Sequence, residues 1–504
     1  MKLVVYAVAA IIASAHTAFA QNLPITTCDR VGIGSVRLTA DGPTPTISDV
    51  SSATAGTDAA AVPYCLVKVL VPQAINIWIG LPMNGKWNGK LQSIGGGGYA
   101  GNVVVPTAAI LGGFVSVSTD TGHSSTAAGS FGMLSPGQPN TPLQIDFAYR
   151  SEHLMSVMGR QLTQAFYGQP PSYAYWNGCS TGGRQGLMMA QRYPEDYNGI
   201  VAGAPAIHWD RFQAAQIWPQ VVMLRETGGA ISPAKLTMAT AAAVAACDAA
   251  DGVTDKVIDD PRTCRFDART LVCQSAGGGT ETCLTESEAK AINKIWEGPV
   301  VDGKRLWWGP RPGADLSGLA GPEPFRISVD QPRYWVYYDS TWNWQTLNYS
   351  NYEEFFALTV KRVGPIMATA DPDLSRFRER GGKLIMWHGW ADQLIMPDGT
   401  IDYYDAVTKK LGGGYEQTRD FARLFMAPGV AHCGGRDGTA PQGLLEAVMD
   451  WVERGEAPST LTGLRSLPDG TTRTRPLCPY PEVAVWNGVG STDISSNFTC
   501  KAPR

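Results

Sequence analysis

Histidine is scarce in this chain: six residues in 504, one of which, His16, lies in the first twenty. Only His123, His153, His208, His388 and His432 are left as candidates for a general base. No C-x-x-C pair occurs, which removes the usual dithiol redox motif. No G-x-x-x-x-G-K-[ST] occurs either, so no glycine run here is a phosphate loop. Beyond the N-terminus no stretch approaches about 18 uninterrupted apolar residues, the length a spanning helix needs. Charge is sparse as well, 17% of residues with a net −4, which gives no electrostatic reason to expect nucleic acid or an anionic membrane as partner. Internal repeats and low-complexity tracts are absent.

What is present begins with an export signal. Lys2 supplies a positive start, residues 3–12 an apolar stretch, and Ala18-Phe19-Ala20 a small-x-small cleavage pattern. Residues 1–20 are therefore expected to be removed, leaving a secreted or periplasmic chain that starts at Gln21. No cysteine follows closely enough to carry a lipid anchor. All ten cysteines lie beyond the signal, at 28, 65, 179, 247, 264, 273, 283, 433, 478 and 500. An even number in an exported chain favours disulfides over metal ligation. Sequence does not determine connectivity. Pairing of neighbours suggests Cys28–Cys65, Cys247–Cys264, Cys273–Cys283 and Cys478–Cys500. That leaves Cys179 and Cys433, joined to each other or, for Cys179, a free buried thiol.

The length suggests more than one domain, and the pattern changes twice along it. Residues 64–205 alternate between strand and helix. Strands are expected at 65–71, 75–81, 91–94, 113–118 and 173–177, and helices at 147–166 and 183–192. Residues 51–61 read as a flexible segment. From 206 to 375 the alternation fades, four cysteines cluster, and eight of the fifteen tryptophans occur. Alternation returns with strands at 383–387 and 424–427 and a closing amphipathic helix at 442–454. Residues 21–205 and 376–504 thus read as one α/β-hydrolase core, split by an inserted lid at 206–375.

Within that frame Gly178-Cys179-Ser180-Thr181-Gly182 matches the G-x-S-x-G elbow, with a strand before it and a helix after it. Ser180 is the expected nucleophile. His432 follows the last strand, where the base of this fold belongs, and has Cys433 beside it. His388 is its main competitor, but His388-Gly389-Trp390-Ala391-Asp392 ends a strand and reads better as presenting Asp392 as the acid. Asp398 and Asp437 are weaker rivals for that role. The order Ser…Asp…His is the order of the hydrolase fold. An oxyanion hole needs backbone N–H groups, expected from Thr181 and from the run Gly95 to Gly98, with Gly96 or Gly97 as donor. Three carboxylates, Asp248, Asp251 and Asp255, crowd one short loop of the insertion. Hard oxygen ligands at that density suit calcium, and the alternative is a solvated acidic loop.

The residues 177–186 around the elbow, the His388-Gly389-Trp390-Ala391-Asp392 segment and His432-Cys433 together resemble the tannase and feruloyl esterase family, with its CS-D-HC motif. The likeness covers nearly the whole mature chain. It implies a Cys179–Cys433 disulfide and a structural Ca2+ on the side chains of Asp248, Asp251 and Asp255 and the carbonyls of Val253 and Val257. It implies hydrolysis of a small-molecule aromatic ester, of ferulate, gallate or terephthalate type, by a monomer or weak oligomer. Trp335, Tyr337, Tyr338, Trp342 and Trp344 are candidates for stacking on the aromatic acid. Arg311, Arg326 and Arg333 are candidates for pairing with a free carboxylate. Two rival readings are a secreted serine peptidase of the same fold and a noncatalytic, calcium-dependent binder of phenolics.

Overall fold

The structure, a computed structural model, describes residues 24–274 and 281–503; the expected signal at 1–20 lies outside them. Nine strands form one sheet: β1 (Thr46–Ala55), β2 (Val62–Val71), β3 (Ile75–Pro82), β4 (Lys90–Ile94), β5 (Val115–Thr119), β6 (Tyr173–Cys179), β7 (Gly199–Gly203), β8 (Lys383–Gly389) and β9 (Ala422–Ala427). Their spatial order is β1-β2-β3-β5-β4-β6-β7-β8-β9. The first three pair antiparallel, and β3 also meets β5 antiparallel. From β5 to β9 every pairing is parallel. This mostly parallel α/β architecture is consistent with the hydrolase core expected from sequence.

Residue chemistry explains the division. Every residue of β5 and β7 is buried, the signature of parallel strands covered on both faces by helices. In β2, Cys65, Val67, Val69 and Val71 face the core while Leu66, Lys68 and Leu70 are only partly covered, a half-buried alternation. β1 occupies part of the segment expected to be flexible, and that reading is corrected. As an edge strand it pairs on one side only, so its Thr-Ile-Ser-Asp-Val-Ser-Ser-Ala-Thr-Ala sequence shows little apolar alternation, and a register shift interrupts it between Ile47 and Asp49. The helix expected at 147–166 is α1 (Ser151–Tyr167), entered through a π-helical turn at Asp146–Arg150. Next in chain order come α2 (Thr181–Arg192) after β6, and α3 (Trp209–Ala215) after β7.

Between β7 and β8 the described residues add no strand to this sheet. They are mainly helical, including α3 and α4 (Tyr352–Met367), with one hairpin of Val300–Val301 and Lys304–Arg305. Their apolar side chains form a second core, with Trp209, Trp218, Trp335 and Trp344 at its centre. Tyr99, Phe131 and Phe147, which precede α1 in the chain, join the same cluster. The tryptophan density of the sequence is therefore mostly core packing for this insertion. After β9, α5 (Leu444–Arg454) packs Val448 and Trp451 against the sheet.

Five disulfides are formed: Cys28–Cys65, Cys179–Cys433, Cys247–Cys264, Cys273–Cys283 and Cys478–Cys500. Four close short loops. Cys179–Cys433 spans 254 residues and joins the end of β6 to the loop after β9.

Candidate active site

The functional candidates gather at the carboxyl ends of the parallel strands, where α/β sheets bind their ligands. Gly95 to Gly98 follow β4, Ser180 follows β6, Asp392 follows β8 and His432 follows β9. Ser180 has φ +62° and ψ −124°, a region that costs a side-chain-bearing residue about 1–3 kcal/mol. The fold retains it because the backbone around it is fixed. Ser180 N–H donates to Gly203 O at 2.9 Å, and its carbonyl accepts from Arg184 at 3.0 Å and Ala206 at 3.2 Å. Glycine at 178 is required by contact, since a Cβ there would lie 2.5 Å from Gly182 O.

Asp392 is buried and fully satisfied. Its Oδ2 meets His432 Nδ1 at 2.8 Å and His388 Nε2 at 3.0 Å, and its Oδ1 accepts from the N–H groups of Leu394 and Ile395 at 2.8 and 2.9 Å. Burial opposes its charge, but His432 and His388 outweigh that effect and hold the carboxyl well below its ordinary value. His388 is itself pinned, with Nδ1 2.8 Å from Thr400 Oγ1. It orients the acid. For His432, burial works to lower the imidazole, yet the charge of Asp392 and the hydrogen bond to it together raise its pKa above 6.5. Gln393 Oε1 accepts from His432 N–H at 3.1 Å and fixes that loop. His432 therefore has its Nδ1 proton directed at Asp392, which leaves Nε2 as the acceptor.

Ser180, Thr181, Gly97 and His432 line one cavity of about 520 Å³. The N–H groups of Thr181 and Gly97 have no protein partner among the described residues, and Thr181 opens α2, whose positive dipole end suits an oxyanion. Gly96 requires a correction. Its N–H donates to Gln185 Oε1 at 2.9 Å, so it is committed to holding the loop and Gly97 is the free donor. The carboxamide of Gln185 in turn donates to Glu152, and Thr181 Oγ1 donates to Gly98 O at 2.6 Å. Glu152 is wholly buried, and burial pushes it up to about 7 despite Arg184 and its hydrogen bonds. Arg184, buried beside it, donates to the carbonyls of Ala148 and Phe147. Sequence reading missed this brace; the close spacing of Arg184 and Gln185 to the elbow was its only trace.

The cavity's apolar wall comes from the insertion: Trp209, Phe212, Phe325 and Ile327, opposite Leu394 and Ile395. The aromatic residues expected to stack on substrate lie elsewhere. Trp335 is buried and donates to Gly129 O, Trp342 stacks between Tyr337 and Phe355, Trp344 donates to Glu323, and Tyr338 is outside the cavity. Nor does any of the three arginines reach it. Arg311 pairs with Asp398, Arg326 lies 3.8 Å from Asp330, and Arg333 donates to Trp342 O. Asp437 pairs with Arg465. The cavity's polar lining instead includes the buried amides of Gln213 and Gln216, whose Oε1 atoms have no partner.

The acidic loop is a separate feature. Asp248 accepts from the N–H groups of Asp255, Lys256 and Val257, and Asp251 from that of Val253. Asp255 pairs with Arg475 at 2.7 Å and with Arg473 at 3.3 Å. Asp259, not singled out by sequence, is partly buried and shares a hydrogen bond with Asp251; desolvation and then repulsion from Asp251 and Asp255 push its carboxyl far up. Among the described residues no three His, Cys, Asp or Glu side chains are gathered closely enough to hold a metal ion. The carbonyls of Val253 and Val257 accept no protein hydrogen bond among those residues, and every potential donor in the loop is a hard oxygen.

The family model for tannase and feruloyl esterase matches residues 65–501. A probable feruloyl esterase of Arthroderma benhamiae is 37% identical over 447 residues, covering 84% of this chain and 82% of that protein. Mono(2-hydroxyethyl) terephthalate hydrolase of Piscinibacter sakaiensis is 30% identical over 502 residues, covering 84% and 81%. The crystal structure of feruloyl esterase B from Aspergillus oryzae has a TM-score of 0.81 at 27% identity, covering 91% of this chain and 97% of that one.

Protonation of His432 removes the acceptor for the serine proton, so kcat/KM falls as pH drops through the imidazole pKa, above 6.5. In Asp392→Asn the attraction is lost and burial remains. The acid limb of the pH profile then moves to lower pH while kcat drops about 10³- to 10⁴-fold; an unmoved limb contradicts the pairing. Gln185→Ala frees the glycine loop. It lowers kcat about tenfold to a hundredfold with KM within about threefold, because the oxyanion contact strengthens only in the transition state. Unchanged kcat removes Gln185 from the brace.

Proposed function

This chain belongs to the tannase and feruloyl esterase family and is a carboxylic ester hydrolase, and from that premise we propose that it is an exported serine esterase acting on esters of neutral phenolic acids. The observation that carries this reading is the cavity: its lining holds Ser180 and His432, an aromatic wall, and the Oε1 atoms of Gln213 and Gln216, which have no partner among the described residues. An aromatic ring is favoured against Trp209, Phe212 and Phe325, and phenolic hydroxyls both give and take hydrogen bonds with a carboxamide. Among the described residues no lysine or arginine lines the cavity, so a free carboxylate on the acyl group lacks a counter-ion there.

Catalysis proceeds by two-step acyl transfer. His432 Nε2 takes the Ser180 proton as Oγ attacks the ester carbonyl, and the oxyanion forms against the N–H groups of Thr181 and Gly97. His432 then protonates the departing alcohol. A water, activated by the same imidazole, attacks the acyl-enzyme and releases the acid, while Asp392 stabilises the imidazolium in both steps. The insertion serves as a lid, since it supplies the aromatic wall.

Export is supported by the N-terminal sequence pattern and five disulfides, and among the described residues no helix is long and apolar enough to cross a membrane. A structural Ca2+ suits the acidic loop, held by Asp248, Asp251 and Asp255 with the carbonyls of Val253 and Val257, and with Asp259 alongside. The ion would neutralise carboxylates that Arg473 and Arg475 only partly balance. No catalytic step involves it.

Methyl ferulate, methyl gallate and mono(2-hydroxyethyl) terephthalate separate the readings. A phenolic methyl ester is expected to give a kcat/KM at least about tenfold above the terephthalate monoester, with turnover abolished by Ser180→Ala. The reverse preference overturns the neutral-acid assignment, and absence of turnover on all three overturns the substrate class.

A further inference from the structure

Helix α3 has two functional faces. Trp209, Phe212 and Gln213 face the cavity of Ser180, whereas Asp210 and Arg211, with His208 just before the helix, line a second cavity of about 430 Å³. Its other walls come from the insertion and the sheet domain: Arg305, Trp307, Trp308 and Asp402. No catalytic residue lines it.

Two buried polar atoms at this cavity, Asp210 Oδ1 and Trp307 Nε1, have no protein partner among the described residues, and His208 Nε2 has no close one. Asp210 is 4% exposed and Trp307 5%. Buried polar atoms are nearly always hydrogen-bonded, so unsatisfied atoms gathered around one cavity suit a ligand that supplies the missing partners. Asp210 Oδ1 is an acceptor, Trp307 Nε1 is a donor, and His208 Nε2 lies 3.8 Å from Asp402. Burial pushes His208 down to about 4, so it is neutral near pH 7. The lining then carries two cations, Arg211 and Arg305, and two carboxylates, Asp210 and Asp402. The cavity has no formal charge to offer an ion. Its flat apolar surface is indole: Trp308 is partly exposed and meets Trp307 edge-on, with ring centroids 4.7 Å apart.

We propose that this second cavity is a carbohydrate-binding site, in which a sugar ring lies on the Trp308 indole and its hydroxyls pair with Asp210, His208, Trp307 Nε1 and Arg211. A sugar is neutral, its hydroxyls act as donor and acceptor at once, and its axial C–H groups give one apolar face. Those three properties match the balanced charge, the mixed unsatisfied atoms and the indole surface. The volume accommodates one or two sugar residues. An aromatic acid matches the indole but brings a carboxylate that the balanced charges do not favour.

The test is calorimetric titration of the full chain, as Ser180→Ala, with xylohexaose and cellohexaose, compared with Trp308→Ala and Asp210→Asn in the same background. At least one saccharide is expected to bind with a Kd between about 0.1 and 10 mM, weakened at least about tenfold by Trp308→Ala. Asp210→Asn weakens it too. Trp308→Ala in the otherwise wild-type chain retains full kcat/KM on a small methyl ester, which shows that it is folded. No binding of either saccharide at about 20 mM overturns the proposal. So does binding that both substitutions leave unchanged, or that the aromatic acid product displaces. The assay reads binding alone, so it stands apart from the identity of the ester substrate.

Discussion

The bond between Cys179 and Cys433 is the constraint around which the site is organised. It joins the neighbours of Ser180 and His432, at the end of β6 and in the loop after β9, 254 residues apart. Closing a loop of that length removes chain entropy worth about 5 kcal/mol from the unfolded state. Its local consequence matters more. Ser180 and Cys433 both have left-handed backbone, at φ +62° and +59°, in side-chain-bearing residues that disfavour it. The disulfide, the Gly203 hydrogen bond and the contact of Gly178 with Gly182 hold the strained turns in place, so serine and imidazole present to one cavity.

Around that covalent link the polar groups are arranged in tiers. Asp392 spends two lone-pair directions on backbone N–H groups and the others on two imidazoles, leaving no capacity for water. Behind the free N–H groups of Thr181 and Gly97, Gln185 spans Glu152 and Gly96. Each tier fixes the next, and the reacting groups need little reorganisation when charge develops. Unpaired buried polar atoms among the described residues at the two cavities, on Trp209, Gln213 and Gln216 at one and on Asp210 and Trp307 at the other, stand out against this economy.

Much of this was legible in the sequence because it is local or covalent. The elbow is a five-residue pattern, the acid and the histidine each follow a hydrophobic strand, and even-numbered cysteines in near-neighbour spacing pair accordingly. β1 escaped because an edge strand with serine and threonine on its open side looks like a linker. The substrate wall escaped for a different reason. Trp335 and Trp344 differ from Trp209 only in which way the insertion folds over the sheet, and nothing in their spacing encodes that. Gly96 and Gly97 are equivalent as letters; a carboxamide 89 residues away distinguishes them.

The most direct measurement is the double substitution Cys179→Ala with Cys433→Ala, compared with wild type in kcat, KM and melting temperature. Loss of the staple predicts a fall of about tenfold to a hundredfold in kcat, with a smaller change in KM, and a lower melting temperature. The fold should persist, since the sheet and the other four disulfides remain. A double variant with unchanged kcat and melting temperature contradicts the account: hydrogen bonds and packing alone would then hold Ser180 and His432 together.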